Sequence, residues 1–167
     1  MIRIKPAPLI AVIGSSSPPS KALLDAYEVG KELAVRGAIV LCGGLGGIME
    51  SVSRGVYEAG GTTVGILPGN DPTQANSFID IPIATGMGSA RNAIITRAAQ
   101  AVIAISGAFG TLSEIGHALA DGTTVVGLDT WTFSTMGRED TTLIRATTPK
   151  EAVEMALEAA QQHRPMQ

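Results

Sequence analysis

The chain has 167 residues, 45% of them hydrophobic and 16% charged, with a formal net charge of −3 and a pI near 5.3. That is the length of a single domain, spanning residues 1–167, and too apolar for a disordered chain. The acidic balance speaks against a nucleic-acid partner or a polybasic membrane patch, and one cysteine, Cys42, excludes an internal disulfide framework. A reducing cytoplasm is the expected compartment. The apolar stretch 8–14 is too short for a membrane span, and Ser15-Ser16-Ser17-Pro18-Pro19 follows it.

In chain order, continuous apolar runs occur at residues 9–13, 38–42, 63–67, 101–105 and 124–128. None alternates cleanly. Such β-branched runs read as strands buried on both faces, as in a parallel sheet. Helical spacing lies between them. Leu23, Ala26, Tyr27, Gly30 and Ala34 form one stripe, and Ile48, Val52, Val56 and Ala59 a second. Ala90, Ala93, Ile94 and Ala98 form a third, Leu112, Ile115 and Leu119 a fourth, and Val153, Ala156, Leu157 and Ala160 a fifth. Thr148-Pro149-Lys150-Glu151 carries a cap, a proline at the first helical position and a reciprocal glutamate. Residues 68–89 interrupt the rhythm, and an extra strand is expected within 78–84. A long insert after a strand is often functional. The alternation predicts an α/β fold: a doubly wound, Rossmann-like, mostly parallel sheet with helices on both faces.

In a parallel sheet, the turns after the first four runs meet at the carboxyl edge, where open α/β sheets bind ligands. These turns are Gly14-Ser15-Ser16-Ser17, Gly43-Gly44-Leu45-Gly46-Gly47, Pro68-Gly69-Asn70 and Ser106-Gly107-Ala108-Phe109-Gly110-Thr111. Two run straight into helices, whose free amides and dipole favour a phosphate. A P-loop would need Lys-Ser or Lys-Thr after its glycines, and none exists. A dinucleotide fingerprint from Gly44 would need glycine where Met49 stands, and only Asp71 offers an acid near the end of the third strand.

Glu114 is the carboxylate of most interest, in the first turn of a predicted helix. It either closes a capping box in Thr111-Leu112-Ser113-Glu114 or stands beside a ligand's sugar. Arg91 is the matching cation, either solvated or holding a phosphate. Glu50 is explained equally by dipole placement, His117 by a lone surface histidine, and Cys42 by an inert core thiol. No metal is expected, since His117 and His163 are far apart. No cofactor is expected either. The lysines are Lys5, Lys21, Lys31 and Lys150, and none lies in the glycine-rich turns to serve pyridoxal phosphate. Residues 131–140 suggest no role. Met49, Val52 and Val56 pack either within the chain or between subunits.

At these residues the chain resembles the LONELY GUY (LOG) family, often labelled lysine-decarboxylase-like. The family pattern PGGxGTxxE reads here as residues 106–114, and MHxRK falls as Met87-Gly88-Ser89-Ala90-Arg91-Asn92, one residue longer between the methionine and the arginine. The segment 43–50 is similar to the family's GGGxxGLMG region, and Gly14-Ser15-Ser16 to its first glycine–serine turn. The resemblance covers about residues 8–130. It implies a nucleoside 5′-monophosphate ligand and cleavage of its N-glycosidic bond, giving free base and ribose 5-phosphate. It also implies catalytic Arg91 and Glu114, and a phosphate loop of Gly107, Ala108, Phe109, Gly110 and Thr111. Gly14, Ser15, Gly43, Gly44 and Met87 complete the implied ligand site, and a homodimer or higher homo-oligomer is the implied assembly. Ser106 replaces the pattern's proline, Ala108 its second glycine, Gly88 its histidine and Asn92 its lysine. These departures are similar to a branch near the molybdenum-cofactor carrier proteins, and so imply an alternative, a non-catalytic nucleotide or cofactor carrier.

Overall fold

The computed structural model describes residues 6–162; Lys5 and His163 lie outside them. The five apolar runs are strands: β1 (Leu9–Gly14), β2 (Ile39–Cys42), β3 (Thr62–Leu67), β5 (Ala101–Ile105) and β6 (Val125–Leu128). The insert supplies β4 (Ile81–Ala84). Three short strands have no counterpart in the apolar pattern: β7 (Phe133–Thr135) and β8 (Arg138–Asp140), paired as an antiparallel hairpin, and β9 (Ile144–Ala146). Each has three residues, too few for a periodic signal.

The main sheet runs β4-β3-β2-β1-β5-β6-β9, and every pairing in it is parallel. β1 is central, with Ile10, Ala11, Val12 and Ile13 buried, which is why its sequence does not alternate. The chain winds outward from β1 to β4, then returns to add β5 on the other side of β1. The gap between β1 and β5 is therefore the point where strand order reverses.

Helices cover both faces. Helices α1 (Ser20–Val35), α2 (Ile48–Glu58) and α5 (Pro149–Gln162) pack over one apolar cluster. Helices α3 (Asn92–Ala98) and α4 (Phe109–Ala120) pack over the other. α1 and α2 approach each other through glycine. A Cβ on Gly30 would lie 2.1 Å from the Val52 carbonyl oxygen, and one on Gly55 would lie 2.1 Å from that of Tyr27. Met49, Val52 and Val56 are buried in this packing, so that stripe is core within the chain and offers no face to a second subunit.

Two predicted stripes need correction. On α3 the inward residues are Asn92, Ile95 and Thr96, while Ile94 is exposed. Ile95 packs into the apolar cluster on that face of the sheet, and Asn92 and Thr96 share its buried side of the helix. On α4 the buried face is Thr111, Glu114, Ile115 and Ala118, rotated from the Leu112–Leu119 stripe. At α5 the Glu151 amide donates to the Thr148 hydroxyl at 3.2 Å, but the Glu151 carboxylate accepts from the Thr147 amide rather than from Thr148. Among the described residues, no helix is long and apolar enough to cross a membrane.

The close helix contact is testable. Gly55→Ala should lower stability by ~1–3 kcal/mol, because the new methyl group meets main chain that cannot yield. Gly116→Ala, with nothing within 4 Å of the added Cβ, should be neutral or slightly stabilising. Urea unfolding of both variants checks this; equal stability would contradict it.

Candidate functional site

A cavity of about 370 Å³ opens at the carboxyl edge of the sheet, above the β1–β5 gap. All four predicted turns reach it. Gly14 and Ser15 come from the turn after β1, Gly43 from that after β2, and Pro68 from that after β3. Ala108, Gly110 and Thr111 follow β5. The turns interlock through main chain. The Ile48 amide donates to the Ser15 carbonyl at 3.0 Å. Gly47 has φ +67°, and a Cβ there would lie 2.5 Å from the same Ser15 oxygen. The insert 68–89 closes back on itself, with the Gly88 amide donating to the Pro68 carbonyl at 2.9 Å, and brings Gly88 and Ser89 to the cavity. Asp71 accepts from the Thr73 amide at 2.9 Å within the insert, away from the cavity.

The capping box does not form. α4 begins at Phe109, its N-cap is Ala108, and no side chain caps it. Its first amides thus keep no side-chain acceptor and present the positive end of the dipole. Thr111 and Glu114 lie inside the helix, and Glu114 is in the second turn rather than the first. Both are buried and line the cavity.

Arg91 ends a short 3-10 turn (Gly88–Arg91) leading into α3 and is only 8% exposed. Its Nη1 lies 3.5 Å from Glu114 Oε1, and the same nitrogen donates to Asn92 Oδ1. Its Nε is buried with no partner among the described residues. Gly43 makes room for the guanidinium: a Cβ there would lie 2.6 Å from Arg91 Nη2 and 2.6 Å from Met49 Sδ. Burial raises the Glu114 pKa from an ordinary 4.5 to about 7, with Arg91 opposing the rise. Burial also pushes the Arg91 guanidinium down, with Glu114 opposing. Near neutral pH, Glu114 can therefore give or take a proton beside a fixed cation.

Gly14, Ser15, Gly43, Arg91, Ala108, Gly110, Thr111 and Glu114 are thus brought together. Four expected residues do not line this cavity. Gly44, at φ +76°, is a turn residue packed on Leu67. Met87 is half exposed, Phe109 is 80% exposed, and Gly107 faces a neighbouring cavity. His117 is exposed, Glu50 lines a separate open cavity, and Cys42 is a buried thiol pushed up by its surroundings. Sequence reasoning passed over Ser89, Asn92 and Met49, which also line the site. The polar Ser89 and Asn92 flanking Arg91 were the available signal for the first two.

The fold and this edge site define a doubly wound α/β protein with an open crevice at the point where strand order reverses. The chain belongs to the SLOG cluster4 family, whose sequence profile matches residues 7–153. An uncharacterized protein of Archaeoglobus fulgidus is 43% identical over 119 residues, 71% of this chain and 78% of that one. The cytokinin riboside 5′-monophosphate phosphoribohydrolase LOG of Oryza sativa is 35% identical over 94 residues, 54% of this chain but 38% of that enzyme. The match spans less than half the length of the plant phosphoribohydrolases. Among solved structures, the molybdenum cofactor carrier protein of Chlamydomonas reinhardtii superposes with a TM-score of 0.83 at 32% identity, covering 93% of this chain and 99% of that one.

The raised Glu114 pKa has a stability signature. Because the folded pKa lies above the ordinary one, the favourable contribution is complete below about pH 4.5 and is lost as pH rises through about 7. The shift corresponds to about 3 kcal/mol. Glu114→Gln should match the parent near pH 4.5 and be the more stable protein at pH 8.5, in thermal melts of both. A constant difference across pH would contradict the assignment.

Proposed function

We propose that the protein binds a nucleoside 5′-monophosphate in this cavity and hydrolyses its N-glycosidic bond. The phosphate accepts from the uncapped amides at the start of α4, where the helix dipole adds ~0.3–2 kcal/mol. The ribose then lies against Arg91 and Glu114. As the bond from C1′ to the base nitrogen lengthens, that electron pair leaves with the base, and positive charge grows on the ribose. Ionised Glu114 stabilises this charge and takes a proton from the water whose oxygen attacks C1′; that proton passes on to the departing base nitrogen, which leaves free base, ribose 5-phosphate and an ionised Glu114. Arg91 holds the carboxylate and stays protonated throughout, so it is an orienting cation rather than an acid.

The observation that carries this reading is the buried Arg91–Glu114 pair at 3.5 Å, facing an open cavity at an uncapped helix start. Similarity to the plant phosphoribohydrolases supports the same chemistry. A second reading, a carrier that binds a phosphorylated ligand without turnover, is favoured by the likeness to the molybdenum cofactor carrier along nearly the whole of both chains.

Purified protein incubated with a panel of nucleoside monophosphates should release free base, and Glu114→Ala should slow release about 100-fold or more. Gly43→Ala, which drives a methyl group into the guanidinium, should also reduce the rate. Ligand-dependent thermal stabilisation with no product from any nucleotide would favour the carrier instead.

A further inference from the structure

The anion loop has a second side. Ala108, Gly110 and Thr111 line the cavity already described, while Ser106 and Gly107 line a neighbouring one of about 530 Å³. Residues 129–132, which follow β6, form the rest of that second chamber. Several features that the fold does not require meet there. Ser106 and Asp129 are held at φ 52° and 48°, and among the described residues only Met136 is another non-glycine with positive φ. Side-chain residues held in this region cluster at ligand sites. The Thr130 hydroxyl donates to the Ser106 carbonyl and ties the two strained loops together. The indole N–H of Trp131 is buried with no acceptor among the described residues. Phe109 is 80% exposed, and its ring centroid lies 6.0 Å from that of Trp131, tilted by 36°. Trp131 is half-buried against the apolar cluster and lines this open cavity, and the exposed Phe109 ring stands beside it at the rim, so the two offer a stacking surface in want of a ring.

We propose that this chamber takes a planar heteroaromatic ring against the Phe109–Trp131 pair. The two chambers share one anion loop, so the ligand class is a nucleotide whose phosphate continues to a second ring-bearing group, as in a pyrophosphate-linked dinucleotide. One end lies toward Glu114 and the other against Phe109. The inference rests on the anion reading of the α4 start and extends it across the loop.

Trp131 is the only tryptophan of the chain, so its emission reports this chamber alone. Di(adenosine) pyrophosphate should quench it and bind about tenfold more tightly than AMP. Ribose 5-phosphate should bind without quenching. Phe109→Ala should collapse the ratio of dinucleotide to ribose 5-phosphate affinity, and Phe109→Tyr should restore it. Equal affinity for AMP and the dinucleotide, or dinucleotide binding with unchanged Trp131 emission, would overturn the proposal. Binding of none of the phosphate ligands would overturn the anion reading. In that case, adenosine quenching that Phe109→Ala abolishes would still support the ring chamber.

Discussion

A carboxylate and a guanidinium, both buried, share a small space at the sheet edge, and the surrounding backbone is kept thin to admit them. Arg91 and Glu114 are each less than a tenth exposed. Desolvation acts against the charge of both, while their mutual attraction offsets part of that cost. A side chain at Gly43 would occupy the space that the guanidinium fills. The pair is therefore a property of the turns as much as of its own two residues.

Those turns are positioned by topology. The reversal of strand order between β1 and β5 opens a crevice, and parallel pairing brings every strand-to-helix turn to the same edge. Main-chain contacts then fix the turns against one another: Ser15 to Ile48, Pro68 to Gly88. A site built this way presents main-chain amides and the single Arg91–Glu114 pair rather than a larger cluster of charged side chains. The same scaffold is shared with a cofactor carrier at 32% identity, so the chemistry depends on the residues around the crevice and not on the fold.

The strands were legible because burial on both faces removes alternation and leaves continuous β-branched runs. β7, β8 and β9 were not, since three residues carry no period. Helix existence was legible, but helix phase was less so. On α3, Ile94 and Ile95 are adjacent, and the polar Asn92 turns inward to meet Arg91. Glu114 shows the same limit in the site. The spacing from Thr111 fits a capping box, and only the start of α4 at Phe109 decides that both residues face the cavity instead. Gly107 and Phe109 adjoin the phosphate loop in sequence, yet Gly107 lines the neighbouring cavity and Phe109 is exposed to solvent.

The most direct measurement is a site-resolved carbon NMR titration of the Glu114 carboxyl, assigned by comparison with Glu114→Gln. The buried Glu114 should show a midpoint near 7 in the free protein, rising further when ribose 5-phosphate is bound, because an adjacent anion disfavours the charged carboxylate. A midpoint near the ordinary 4.5, unmoved by the phosphate, would mean that Glu114 is solvated and away from any anion site, and would contradict a buried pair beside one.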